Sequence, residues 1–401
     1  MTVVSDIENA PQFLRFRQKT SDIQLIVHGQ GVFQFTHDDI TKPCTFNITN
    51  TGVVLTVEFN MTGIHVGYNG EPLVDPKNTQ GLVGTPGASY WFSLDAQNQV
   101  LQAGIGEARK ETAMYHFRLE AKDKQTLESL THIQLTNETT SPLRLLRDPI
   151  TRSVPLHVRG ADHLTMKDIA KGTYMPLVNL SSIAQKLHGC IAGKRFVLDD
   201  KDFSDFSKAI EYSIATPKCW CYETLVAKSK EFGESNPKET YLRITLNQNN
   251  GESPGIPYVM EIWPAGHYSP IHNHGGAEAI IRVLHGGIHV DLFSFLGGDS
   301  FGSADFVKGD ITWISPSLNQ VHRLTNQDPR TTCITIQCYM YGSEDSRHYD
   351  YFDYLDAKNK VQQFTPNSDM DFVAFKELMR KEWTARPKQG FWQRVKRFLH
   401  I

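Results

Sequence analysis

Two long stretches of this chain alternate apolar and polar residues with a period of two, and a block of helical period separates them. The runs IQLIVHGQGVFQF (23–35), VVLTVEF (53–59), ASYWFSL (88–94) and AMYHFRL (113–119) are short and rich in Val, Ile, Phe and Tyr. Turn clusters such as NTG, YNGEP and GTPGAS stand between them. A period of two sends successive side chains to opposite faces, so each run can bury one face as a strand. Strands at this spacing point to a sandwich or small barrel over residues 1–155. Alternation returns from Tyr241 to about Tyr341. Between the two, MPLVNLSSIAQKLHGCIAG (175–193) and DDKDFSDFSKAIEYSIATP (199–217) carry apolar residues three and four apart. Asn179 or Ser181 would cap the first helix, Gly189 or Gly193 lies near its end, and Pro217 stops the second.

The expected class is therefore mainly β: a sandwich-like domain, then helices, then a β-barrel. LLRDPITRSVPLHVRGAD (145–162), with two prolines and no period, reads as the linker. The expected units are 1–155, 170–385 and a basic amphipathic tail over 386–401. In FWQRVKRFLHI (391–401), Phe391, Val395, Phe398 and Leu399 oppose Arg394, Lys396 and Arg397. Packing on its own domain is the ordinary use of such a helix, and a membrane surface or partner is the alternative.

A chain of 401 residues exceeds one ordinary core. Its net charge of −3 gives no electrostatic reason to bind nucleic acid. The six cysteines follow no disulfide spacing and read as reduced thiols of a cytoplasmic protein. The start has acids where a signal peptide needs an apolar core, and no run of about 18 apolar residues offers a membrane span.

The chemistry concentrates in GHYSPIHNHGGAE (266–278). If His272 and His274 sit in a strand, alternation puts both imidazoles on one face, about 6.5–7 Å apart along the backbone. Such a pair can converge on one ion, with a third imidazole from His322 in ISPSLNQVHRLTN (314–326). Three neutral nitrogens leave positions open for substrate and oxygen, as non-haem iron chemistry requires. The carboxylate of Glu278 is either a fourth ligand or a bystander. Alternation alone would place it on the histidines' face, but Gly275 and Gly276 can reset that parity through a bulge.

Gly266, Gly286, Gly309, Pro316, His322 and Asn326 surround this segment in an order that resembles the two motifs of the cupin superfamily, whose strands form a jelly-roll barrel. SSIAQKLHG, TPKCW, YLRITLNQNNG, the H-x-H segment and SLNQVHRLTN resemble, in order and spacing, the cysteine dioxygenase family over residues 178–355. The resemblance implies ferrous iron held by His272, His274 and His322, and a substrate carboxylate bound by Arg243. It also implies Tyr241 as a neighbouring donor or core aromatic, and Tyr339 near the oxygen site. The implied reaction joins a small thiol, L-cysteine or a relative such as 3-mercaptopropionate, with O2 to give a sulfinic acid. In the family, a histidine relays to that tyrosine and, in some members, a cysteine is joined to it. Here those places hold Gln337 and Ala279, which leaves the thiol's identity open. YWFSLDAQNQVLQAGIGEARKE weakly resembles farnesoic acid O-methyltransferase-like domains, which implies binding or protein contact with a partner not identifiable from sequence. Two other readings stand beside the dioxygenase: a cupin with three histidines and Glu278 acting on a non-thiol substrate, and a non-catalytic cupin binding module.

Overall fold

A computed structural model describes residues 14–15, 22–37, 39–50, 52–73, 80–85, 88–136, 143–247, 258–340 and 352–387; the amphipathic segment 391–401 lies outside the described residues. The protein is mainly β, and it begins with two six-stranded antiparallel sheets packed as a sandwich. One runs in the order Leu14–Arg15, Arg144–Leu146, Gln30–Thr36, Ser89–Asp95, Val100–Ile105, Ala113–Arg118. The other runs Asp22–Gln24, His132–Leu135, Cys44–Asn50, Val53–Asn60, Gly63–Tyr68, Glu71–Leu73. Alternation does its expected work: Cys44, Phe46 and Ile48 are buried while the residues between them lean outward. The rings of Phe33, Phe35, Phe46, Phe59, Tyr90 and Phe92 fill the interior with centroids 4.7–5.9 Å apart. Such pairs add about 0.5–1.5 kcal/mol each beyond their burial.

Two expectations need correction. The run 23–35 is not one strand: Asp22–Gln24 belongs to one sheet and Gln30–Thr36 to the other. The chain crosses between them at Gly29, where φ is 68° and a Cβ would lie 2.6 Å from Leu127 O, leaving no room for a side chain. The stretch 145–162 is also not all linker. Leu145 is buried and pairs with Phe33, so the sandwich continues through Leu146 before the chain crosses over.

Helices α1 (Ser182–Ile191), α2 (Phe206–Ala215) and α3 (Trp220–Ala227) come next. Ser181 is the cap of α1, accepting a bond from Ala184 N at 3.0 Å. Asn179 instead ends a short 3-10 turn, and Gly189 lies inside the helix. Helix α3 is not apparent from sequence because Cys219-Trp220-Cys221 carries no helical signature. Cys221 is buried against Met379, and Cys219 is partly exposed at the helix start.

Among the described residues from 242 to 340, eight strands follow: β1 (Leu242–Asn247), β2 (Tyr258–Trp263), β3 (Glu278–His285), β4 (Gly287–Phe293), β5 (Ser300–Val307), β6 (Ile311–Ile314), β7 (Val321–Thr325) and β8 (Cys333–Met340). One sheet has the order β6-β3-β8-β2-β1 with Met370–Asp371 at its edge, and the facing sheet is β5-β4-β7. Helix α4 (Phe372–Ala385), capped by the Asp371 carboxylate, packs on α2, where the Phe206 and Phe375 rings lie 5.9 Å apart. These are jelly-roll layers, packed face to face rather than closed into one continuous barrel. β8 is buried on both faces. Its outward Cys338 meets α1 at Leu187, and its inward Gln337 reaches into the space between the sheets. No helix of the described residues is long and apolar enough to cross a membrane.

Gly286 joins β3 to β4 with φ 66°, and a Cβ there would lie 2.5 Å from Thr332 O. Gly286→Ala is expected to lower stability by about 1–3 kcal/mol, read as a fall in the urea midpoint.

Candidate metal centre

His272 and His274 lie in the segment between β2 and β3, and His322 lies in β7. The expected strand for the H-x-H pair is not there. His272 instead forms isolated bridges to His322 on one side and Tyr354 on the other. Its amide donates to His322 O, and the His322 amide donates back to His272 O, each at 3.1 Å. The third histidine is thus tied by backbone to the first, and ladder alternation plays no part.

The three rings gather with centroids 4.8–5.0 Å apart. One nitrogen from each lies within 4.8 Å of the others, and His274 Nε2 is 3.2 Å from His322 Nε2. Nitrogens that share an ion at about 2.0–2.1 Å are separated by about 3.0–3.4 Å, so this pair has the spacing a metal needs. His272 Nδ1 lies 3.1 Å from Pro270 O, and His322 Nδ1 lies 3.0 Å from Asn319 O. A carbonyl only accepts, so both Nδ1 atoms carry the proton and both Nε2 lone pairs are left for the cluster. His274 Nδ1 is buried without a hydrogen-bond partner among the described residues, and its ring stacks on Tyr339 at 5.8 Å. Burial lowers His272 to about 3, helped by His322, and lowers His322 to about 4. Burial, then His322 and His272, hold His274 well below its ordinary value. Neutral imidazoles are the form a metal takes. The three residues fit a bound ion.

Glu278 stands apart. Gly275 and Gly276, at φ 58° and 81°, make a left-handed turn directly after His274. Beyond it, Glu278 starts β3, and its carboxylate accepts from the hydroxyl of Ser181, the cap of α1. Among the described residues the ligating cluster is the three histidines alone.

The remaining candidates form a buried chain of hydrogen bonds. Arg243 on β1 pairs across the sheet with Glu261 on β2, Nη1 to Oε1 at 3.1 Å. Gln337 Nε2 donates to Glu261 Oε2 at 2.5 Å and to Thr335 Oγ1 at 3.3 Å. The Tyr339 hydroxyl donates to Gln337 Oε1. Burial opposes the Arg243 charge, but Tyr339, Glu261 and Tyr241 raise the guanidinium above its ordinary value. Burial raises Glu261, against Arg243, Gln337 and Lys228, which lower it. Tyr241 stacks on Trp263 at 4.3 Å and 17° and forms part of the wall. Ala279 lies directly opposite Tyr339 in the β3–β8 register.

Sequence reasoning missed Glu261. The signal was available: in YVMEIW it shares parity with Val259 and Trp263, the face opposite Met260 and Ile262, so the carboxylate points inward. The cavity between the sheets is lined by the three histidines, Glu261, Gln337 and apolar side chains such as Trp263, Leu292 and Phe306. About 60 Å³ is open to the centre of a water-sized sphere, several times the ~10–15 Å³ one water requires. Glu261 and Gln337 line this space, and Arg243 and Tyr339 are hydrogen-bonded to them.

No family model matches the chain. Solved structures similar to parts of it include an oxalate oxidase in complex with the substrate analogue glycolate, at 19% identity over 27% of this chain and 53% of that one, TM-score 0.23. A cupin superfamily protein from Desulfitobacterium hafniense matches at 12% identity over 26% of this chain and 81% of that one, TM-score 0.20. A sugar phosphate isomerase of the cupin superfamily from Silicibacter pomeroyi matches at 15% identity over 31% and 76%, TM-score 0.21. The match spans about half the length of the oxalate oxidase. The jelly-roll description rests on the strand order given above. The fold and site together define a jelly-roll domain that carries a three-histidine cluster suited to a metal.

His274→Ala is expected to reduce the metal retained after dialysis to less than about a tenth of the parent level, measured by mass spectrometry of the digested protein. Glu278→Gln should retain the full metal content while lowering the melting temperature, because it weakens the Ser181 contact at a helix cap worth about 1 kcal/mol.

Proposed function

We propose that this protein is a non-haem iron(II) thiol dioxygenase that converts a small thiol and O2 to the sulfinic acid, RSH + O2 → RSO2H. The observation that carries the reading is the cluster of three neutral, buried imidazoles without a carboxylate ligand, set at a small and largely apolar cavity. Iron(II) held there would supply the one-electron chemistry with oxygen that a thiol lacks by itself. Three neutral ligands leave a charge of about +2 on such a site, which a thiolate partly offsets; this favours ionisation of a thiol whose free pKa is about 8.5. Trp263, Leu292 and Phe306 exclude water from the sulfur. Tyr339 is held by Gln337 with its hydroxyl oriented, and its ring braces His274. Gln337 fixes that hydroxyl but, as an amide, cannot pass a proton through a charged form.

The Arg243–Glu261 pair bears on the thiol. A substrate carboxylate that engages Arg243 must compete with Glu261 for the guanidinium, and two buried carboxylates sharing one cation are costly. A zwitterionic aminothiol such as L-cysteine lessens that cost, since its ammonium can approach Glu261 as its carboxylate approaches Arg243. A thiol acid without an amine, such as 3-mercaptopropionate, has no such compensation. The reading with Glu278 as fourth ligand has no comparable support, because that carboxylate serves α1.

Oxygen uptake by iron-loaded protein across a panel of small thiols, with products identified by mass, is expected to give sulfinate, with L-cysteine preferred over 3-mercaptopropionate. Absence of sulfinate from every thiol would refute the dioxygenase. Failure to retain iron at all would favour a binding module. Glu261→Gln is expected to lower the melting temperature by leaving Arg243 without its carboxylate. 3-Mercaptopropionate should then bind that variant about tenfold more tightly than the parent, measured by ligand-dependent melting.

A further inference from the structure

We propose that the N-terminal sandwich is part of the scaffold of the metal centre, with Glu107 and Arg109 as positioning residues that fix the His322 imidazole through Asn319 and Gln320. The inference rests on the reading of His322 as a ligand. Both residues lie in the turn between the sandwich strands Val100–Ile105 and Ala113–Arg118, and both are buried against the jelly roll.

The contacts run from one body into the other. Gln320 N donates to Glu107 Oε1 at 2.8 Å. Arg109 Nη1 donates to Asn319 Oδ1 at 3.0 Å and to Glu107 Oε2 at 3.2 Å, and Nη2 donates to Val154 O at 2.9 Å. The guanidinium also lies 4.8 Å from the centre of the Phe301 ring in β5. The turn can come this close because residue 106 is glycine: its φ is 88°, and a Cβ would sit 2.3 Å from Ser294 O.

What these groups grip is the backbone just before the third histidine. Asn319 is a non-glycine residue at φ 63°, a conformation that needs support. Its side chain is held by Arg109 on one side and donates to Trp313 O at 3.0 Å on the other. Its carbonyl is the acceptor of His322 Nδ1. Gln320, held by Glu107, reaches across to the other ligand segment. Its Oε1 accepts from Gly276 N at 3.0 Å, and its Nε2 donates to Ala277 O at 2.9 Å. One buried ion pair from the sandwich thus sets the acceptor that orients His322 and the side chain that ties the His322 turn to the His274 turn. Partners that orient a ligand in this way contribute about ten- to a hundredfold to metal affinity.

The test uses the full-length protein with Glu107→Gln, Arg109→Met and Arg109→Lys, alongside Leu55→Ala as a cavity in the sandwich core distant from the turn. Two quantities are read: the imidazole 15N shifts of His322 in metal-free protein, and the dissociation constant for Co(II) from its visible absorption. The parent should show a single Nδ1–H form. Glu107→Gln and Arg109→Met should show mixed forms and bind Co(II) about ten- to a hundredfold more weakly, with Arg109→Lys between. Leu55→Ala should melt earlier with both readouts unchanged. The inference is overturned if Glu107→Gln and the Arg109 variants keep one imidazole form and the parental constant. It is equally overturned if Leu55→Ala shifts both readouts as far as they do. If the parent binds no Co(II), the ligand reading of His322 fails, and the imidazole shifts alone decide whether the sandwich orients that ring. Should Arg109→Met fail to fold, Glu107→Gln and Arg109→Lys carry the comparison.

Discussion

Three imidazoles converge where water is largely excluded, and that burial governs what every neighbouring group does. A charged imidazole there would be costly, so all three are held neutral. A neutral imidazole has one donor and one acceptor, and Pro270 O and Asn319 O settle the assignment for two rings by taking the Nδ1 protons. The lone pairs then have one direction left. Apolar walls, carbonyl acceptors and reciprocal backbone bonds between His272 and His322 are therefore parts of one arrangement. Weakening the burial would favour protonation of the imidazoles and so oppose the holding of an ion.

The same low-polarity setting explains the polar chain on the facing wall. Arg243 is buried, and without a carboxylate its charge would be poorly supported; Glu261 supplies it from the adjacent strand. Gln337 then satisfies the second carboxylate oxygen, and Tyr339 satisfies the amide oxygen of Gln337. Each residue answers the hydrogen-bonding need of the one before it, so a glutamine at position 337 is structurally coherent here. Glu261, which lines the cavity, is thus held in place by Arg243 on one side and Gln337 on the other.

The histidine turns are also held by residues more than two hundred positions earlier in the chain. The sandwich contributes a carboxylate and a guanidinium to a loop whose backbone would otherwise hold Asn319 in a left-handed conformation with fewer partners. This gives the two β-rich parts of the molecule a shared buried polar network in addition to apolar packing. Such networks specify one docking geometry because leaving any member unpaired is expensive.

Much of this was legible in the residues alone. Period-two alternation is a local property, so it marked sandwich and jelly-roll strands without any knowledge of their neighbours, whereas Arg243, Gln337 and Tyr339 were singled out only by the family resemblance. Residue type and spacing also gave Ser181 as one of two candidate caps and the H-x-H pair with His322 as a candidate metal set. Other features were decided only by tertiary structure, because they depend on what lies across space. The H-x-H segment is shaped by bridges to His322 and Tyr354, and Glu278 is drawn to a helix cap rather than to the histidines. Glu261 becomes the partner of Arg243 through strand register, and Glu107 reaches Gln320 through docking of one β body on another. By itself the sequence determined which side chains point inward, through the pleat; which of them meet was decided by register and docking, which no local pattern encodes.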